Sequence, residues 1–188
     1  MKQVLYGFGV AALLVLIGWQ WQKNSSTKVE NVTVTGPKPA EKVAYVTFDD
    51  GPSEITPGIL DTLKKYDAKA TFFLIGEEIT EEREEIVKRE IEEGHSVGVH
   101  TYCHKKEEMY CNKEYFWNDF EKCKTRIEEV IGKPVSLHRF PWGSNNGYVC
   151  PLVDDLMEEL QKKKITSFDW NVSYYTDKMH LRVGFRNR

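Results

Sequence analysis

The sequence is short of several things. No CxxC pair occurs among its four cysteines, so a zinc-ribbon site is excluded on spacing. Excess positive charge is absent too: 26 Lys and Arg stand against 29 Asp and Glu, a net charge of -3, which gives no footprint for nucleic acid. Nor is there a long apolar run beyond the N-terminus. At 188 residues and 40% hydrophobic composition, the chain suits one globular domain with a small extension.

The N-terminus differs in kind. Between Val4 and Trp19 the only polar side-chain atom is the Tyr6 hydroxyl, and Trp19 and Trp21 follow where an interfacial aromatic belt would lie. The run is at the short end of what spans a bilayer. Lys2 favours a cytoplasmic N-terminus, and Lys23 weakens that bias. The stretch from Trp19 to Ser26 offers no small-x-small cleavage site, so an uncleaved membrane anchor over residues 1–22 is expected ahead of the competing cleaved signal peptide. Either way the remainder is exported, as a single-pass membrane protein with an extracellular domain or as a secreted one. Residues 23–42 are polar and read as a tether. Residues 43–188 form the domain. In an exported chain Cys103, Cys111, Cys123 and Cys150 are open to disulfide pairing or to remaining four thiols, and three pairings are possible.

Within the domain, strand and helix alternate five times. Strands are expected over 43–48, 70–75, 96–100, 135–140 and 165–170. Helices are expected from Thr56-Pro57 to about Tyr66, from a Thr80 cap to Gly94, through the face Phe116, Phe120, Cys123, Ile127 and Val130, and from Pro151 to about Lys163. The alternation predicts an α/β fold with a parallel sheet or barrel.

Three clusters carry chemistry, each directly after a strand. Asp49-Asp50 precedes Gly51-Pro52; paired carboxylates at a strand end can divide into one metal ligand and one proton acceptor, or they can be polar turn residues. His100 and His104, four apart, fall on one face of a helical turn and, with an Asp, make a set suited to Zn²⁺ or a similar ion; two surface histidines are the alternative. Arg139-Phe140-Pro141-Trp142-Gly143 ends the fourth strand, and Asp169-Trp170 the fifth. Arg139 and Asp169 can pair as a salt bridge in which the Arg orients a carboxylate. Trp142 and Trp170 are either core or the apolar wall of a sugar site. All the clusters lie at the C-terminal ends of parallel strands, where barrel enzymes place their active sites.

These residues resemble a known family. Thr47-Phe48-Asp49-Asp50-Gly51-Pro52, the H-[ST]-x-x-H core of His100 to His104, Arg139-Phe140-Pro141-Trp142-Gly143, and Ser167-Phe168-Asp169-Trp170 are similar, in order, to four signatures of the polysaccharide deacetylases (NodB-homology domain, carbohydrate esterase family 4). The resemblance implies a distorted (β/α) barrel and one divalent metal ion, commonly zinc, with cobalt or another ion as an alternative. It implies Asp50, His100 and His104 as ligands, Asp49 as general base, Arg139 positioning Asp49, and Asp169 tethering Arg139. A backbone N–H near Trp142, within Pro141, Trp142 and Gly143, completes the oxyanion site. The family's fifth signature, a leucine-rich strand ending in a histidine acid, has no match in the segment from Met179 to Arg188. The domain is therefore expected to be incomplete, with its last βα units missing and a sheet edge exposed; His180 is a poor substitute for the acid. Cys103 stands where the family often has Ser. The expected activity is hydrolysis of N-acetyl groups on an extracellular amino-sugar polymer, peptidoglycan or a chitin-like oligomer. An O-acetyl esterase of the xylan type and a non-catalytic metal-binding remnant are the rival readings.

Overall fold

The computed structural model describes residues 43–175 and 180–185. The expected anchor and tether over 1–42 lie outside the described residues, and no helix among the described residues is long and apolar enough to cross a membrane.

Five parallel strands form the body of one sheet: β1 (Ala44–Gly51), β2 (Ala70–Ile75), β3 (Ser96–Thr101), β4 (Leu137–His138) and β5 (Thr166–Ser167). Two further strands, β6 (Val172–Tyr175) and β7 (His180–Phe185), form an antiparallel pair, and β7 also runs antiparallel along β1. The order across the sheet is β5-β4-β3-β2-β1-β7-β6. The expectation of a parallel α/β sheet holds. A tail strand against β1 was not expected. Among the described residues β5 and β6 stand at the two edges without pairing, so the sheet is not a closed barrel there.

Side chains alternate across each strand, and the two faces differ in chemistry. Phe72 and Leu74 of β2, with Val97 and Val99 of β3, are buried in the apolar core. Four helices close over them: α1 (Thr56–Lys65), α2 (Glu84–Glu92), α4 (Lys113–Ile131) and α5 (Val153–Lys162), with a single turn, α3 (Lys106–Met109), leading into α4. On α4 the expected stripe of Phe116, Phe120, Cys123 and Ile127 is buried. Burying each Phe or Ile there contributes about 1.5–3 kcal/mol. The Asn112 side chain caps its start by accepting from the Tyr115 N–H, and Gly132, at φ 68°, ends it in the left-handed region that glycine enters without strain.

The other face mixes polar and apolar residues and is less filled. Thr47, Asp49, Thr71, Phe73 and Arg139 alternate with the core residues, and a cavity of about 580 Å³ opens against this face between Tyr45, Thr71, Phe73, Leu137 and Arg139. Of the signature residues, Thr47, Arg139, Phe168 and Asp169 line it.

Local boundaries moved for identifiable reasons. Thr80 caps no α-helix through its side chain; a 3₁₀ turn over Glu81–Arg83 intervenes, and α2 begins at Glu84. The strands expected over 135–140 and 165–170 shrink to two residues each. Around them the ladder continues through single bonds: Arg139 N–H to the Val99 carbonyl and Phe168 N–H to the His138 carbonyl, both 3.0 Å, and Thr166 N–H to the Ser136 carbonyl at 2.8 Å. The four cysteines are free thiols. Cys123 lies in the core with its thiol 3.4 Å from the Leu74 carbonyl, and burial pushes the Cys103 thiol up to about 11.

Candidate active site

Two interruptions in strand register build the site. Along β1, Asp49 pairs with Phe73 and Gly51 with Leu74, so Asp50 is skipped. Along β3, Val99 pairs with Leu74 and Thr101 with Ile75, so His100 is skipped. A bulge of this kind places an extra residue on one strand and re-aims its side chain. Asp50 takes up the bulge at φ 69°. Neighbouring carboxylates that would otherwise only alternate across the sheet thereby acquire separate jobs: Asp49 joins the inner-face network of arginines, and Asp50 turns toward the histidines.

Asp50 Oδ1 lies 3.2 Å from His100 Nε2 and 3.4 Å from His104 Nε2. The three donor atoms all lie within 4.8 Å of one another. A tetrahedral zinc ion with bonds of about 2.0–2.2 Å needs donors about 3.3–3.6 Å apart, so the spacing fits. The tautomer fits as well. His100 Nδ1 is 2.8 Å from the Arg139 carbonyl oxygen, which can only accept. Nδ1 therefore carries the proton and Nε2 turns its lone pair to the site, the arrangement that orients metal-binding histidines. His100 is buried, whereas the side chains of Asp50 and His104 keep 18% and 27% of their exposure, which leaves the site open to water and substrate.

Asp119 on α4 holds the loop that carries the histidines, a role that sequence reasoning missed. Its Oδ1 accepts from the Thr101 hydroxyl (2.6 Å) and the Tyr102 N–H (2.8 Å), and its Oδ2 accepts from the Cys103 N–H (3.0 Å). The Thr101 hydroxyl oxygen in turn accepts from the His104 N–H at 3.2 Å. The spacing of the two ligands, with His104 at φ 53°, is thus tied to one carboxylate sixteen to eighteen residues downstream.

Asp49 is fully buried and Arg139 nearly so. Arg139 Nη1 donates to Asp49 Oδ1 at 2.8 Å and to the Thr47 hydroxyl at 2.6 Å. Burial pulls the Arg139 guanidinium below its ordinary value, and Asp49 pulls it back up. The tether from the fifth strand end runs through the main chain: Arg139 Nε donates to the Phe168 carbonyl (3.0 Å) and Nη2 to the Asp169 carbonyl (3.3 Å). The Asp169 carboxylate itself accepts from the N–H and hydroxyl of Ser144 and so fixes the turn after Gly143.

That turn sets Trp142 at φ 64° and Gly143 at φ 86°. The Gly143 N–H is used on the Phe140 carbonyl (2.9 Å), and the Pro141 carbonyl accepts from Tyr110 and Asn146. The two tryptophans separate. Trp142 is 37% exposed and lies tilted against His104, with ring centroids 4.7 Å apart and planes at 44°, making a wall beside the candidate ligands. Trp170 packs beneath Gly143, where a Cβ would stand 3.0 Å from its ring. The His180 side chain lies outside the described part of the structure.

An Asp/His/His donor set, a buried Asp–Arg pair beside it and an R-x-P-x-G turn now stand together at the C-terminal ends of the parallel strands. Residues 36–168 match the family described as polysaccharide deacetylase. The chain belongs to the polysaccharide deacetylase family. It is 43% identical over 131 residues to a peptidoglycan-N-acetylglucosamine deacetylase of Bacillus cereus, covering 70% of this chain and 46% of that protein. Among solved structures it resembles the catalytic domain of a peptidoglycan N-acetylglucosamine deacetylase from Eubacterium rectale, with 33% identity, a TM-score of 0.67, and coverage of 75% of this chain and 65% of that one. It also resembles the polysaccharide deacetylase Bc1974 from Bacillus cereus, with 42% identity, a TM-score of 0.63, and coverage of 70% and 61%. The chain thus spans less than two thirds of the length of each of these family members.

Proposed function

We propose that this chain hydrolyses N-acetyl groups of an extracellular amino-sugar polymer, with peptidoglycan as the polymer, and that residues 1–22 hold the domain at the outer face of the cell membrane. The observation that carries the reading is the donor triangle of Asp50, His100 and His104 set beside the buried Asp49–Arg139 pair. The relatives' names, with their N-acetylglucosamine chemistry, support the choice of polymer.

Asp50, His100 and His104 would hold the divalent ion, zinc in the first instance, and a bound ion supplies Lewis acidity at the acetamide carbonyl and a more acidic water. The rest belongs to the protein. Asp49 accepts the proton of the attacking water; Arg139 fixes the rotamer of that carboxylate through Oδ1. The hydroxyl goes to the acyl carbon, the proton passes to the nitrogen as the C–N bond breaks, and acetate and a free amine result. The turn of Pro141, Trp142 and Gly143 offers the Trp142 N–H to the oxyanion, and the exposed Trp142 ring gives the sugar an apolar wall.

Purified protein loaded with Zn²⁺ or Co²⁺ is expected to release acetate from an N-acetylglucosamine oligomer, to stop when a chelator strips the ion, and to resume on reloading. Absence of acetate from fully loaded, folded protein rejects the reading.

A further inference from the structure

The inner face of the sheet holds a second arginine that no motif accounts for. Arg182 lies on β7 directly opposite Thr47 of β1. Its side chain is buried, and its Nη1 stands 2.6 Å from Asp49 Oδ2, the oxygen that Arg139 does not use. Asp49 therefore faces a guanidinium at each oxygen: Arg139 donates a hydrogen bond to Oδ1, and Arg182 makes an ion-pair contact with Oδ2 without hydrogen-bond alignment. The guanidinium of Arg182 also sits over the Trp170 ring, its Cζ 3.5 Å from the centroid, a cation–π contact.

The two arginines are linked through a third residue. Thr47 Oγ1 accepts from Arg139 Nη1 at 2.6 Å and donates to the Arg182 carbonyl at 3.0 Å. The ring of contacts Arg139–Thr47–Arg182–Asp49 closes on itself. It joins the ends of β1 and β4 to the tail strand, 135 residues away from Thr47 in sequence. The direction of approach matters. Arg182 is level with Thr47, two residues before Asp49 along β1, whereas the donor triangle lies past Asp49 at the strand end. The second guanidinium therefore comes from the Thr47 side of the carboxylate, on the side of β1 away from the ligands.

We propose that Arg182 is a positioning residue for the base: a second guanidinium, supplied by the tail strand, that locks both oxygens of Asp49 in the orientation the deacetylation needs. This rests on the deacetylase reading above. It also gives the segment after Met179, which has no counterpart among the family signatures, a part in the reaction.

The test compares zinc-loaded wild type with Arg182→Gln and Arg182→Lys, on the full chain, with an N-acetylglucosamine oligomer as substrate. In Arg182→Gln, kcat is expected to fall at least tenfold while KM and zinc affinity stay within about threefold, and Arg182→Lys, which keeps one charge but not the fork, is expected to recover part of the loss. A merely structural residue would lower the melting temperature without this split and without rescue by Lys. Unchanged or increased kcat in folded Arg182→Gln overturns the proposal. If wild type itself releases no acetate, the deacetylase reading fails. The clamp is then read from a double-mutant cycle of Asp49→Asn and Arg182→Gln in equilibrium unfolding. Non-additivity above tenfold in the unfolding constant keeps the two-sided contact, and additivity removes it.

Discussion

Asp50 and His100 are the residues that the strand registers of β1 and β3 skip, and their side chains meet at 3.2 Å. Both candidate ligands thus owe their direction to a local break in the sheet, and the donor spacing is set by main-chain geometry before any ion binds. Such preorganisation demands supports, because Asp50, His104 and Trp142 all hold positive φ without being glycine. Each such residue carries strain that surrounding contacts must hold in place.

Asp119 is the first of those supports. Asp119→Ala removes three hydrogen bonds from the loop between the histidines. Zinc affinity, measured by chelator competition, is expected to fall about 10–100-fold, as for other partners behind metal ligands. The substitution also costs about 2–4 kcal/mol of stability, from the hydrogen bonds lost and the backbone donors left without an acceptor. Wild-type zinc affinity in the folded variant would remove Asp119 from the account.

Gly143 is the second. Its φ of 86° disfavours any side chain by about 1–2 kcal/mol. A Cβ there would also stand 3.0 Å from Trp170, the ring over which the Arg182 guanidinium sits. Gly143→Ala is expected to lower kcat more than it lowers the affinity for zinc, since the ligands lie on other loops. A parallel loss of both would mean that the turn acts through the metal site instead.

The core contributes a pH dependence of its own. Glu90 on α2 is buried, and neither carboxylate oxygen has a hydrogen-bond partner among the described residues. Burial raises its proton affinity well above the ordinary carboxylate range. A raised value in the folded state means that the native protein holds a proton the unfolded chain gives up. Stability from this group is complete below about pH 4.3 and declines by about 1.4 kcal/mol per pH unit until the folded value is passed. Urea unfolding of Glu90→Gln against wild type should show a difference near zero slope at pH 4 and a gain for the variant that grows toward pH 7. Parallel stability curves across that range would contradict it.

His138 gives the opposite slope. It is fully buried among Phe116, Phe120 and Phe140, with Nδ1 3.1 Å from the Ser167 hydroxyl. Burial holds its proton affinity well below the ordinary imidazole range, with His100 and Arg139 adding to the effect. Its stabilising contribution is present above about pH 6.5 and lost as pH falls toward the depressed folded value. Replacing it by Leu should flatten the acid side of the stability profile, and an unchanged acid limb would argue against a neutral His138.

The first half of the site was readable because its chemistry is local. Asp49-Asp50, His100 with His104, and Arg139 through Gly143 each sit at the end of a strand whose hydrophobic pattern is plain. The rest depends on contacts that no short pattern encodes. Asp119 is one acidic residue on a helix rich in charge, and nothing in its neighbours marks it as the anchor of a loop. The register skips at Asp50 and His100 arise from pairing with β2, not from their own sequence. Arg182 lies in a segment without the apolar run expected of a family strand, and its role follows only from antiparallel pairing with β1. The tether of Arg139 was expected through the Asp169 side chain; it runs through two carbonyls, which any sequence would supply. Exposure, invisible in composition, separated Trp142 from Trp170.

The central claim is that Asp49 acts as base beside an ion held by Asp50, His100 and His104. Acetate release from an N-acetylglucosamine oligomer by zinc-loaded Asp49→Asn, with bound zinc quantified in the same sample, tests it most directly. The account predicts one zinc per chain, as in wild type, with turnover lowered about 100-fold or more. Turnover equal to wild type at full zinc occupancy would contradict it.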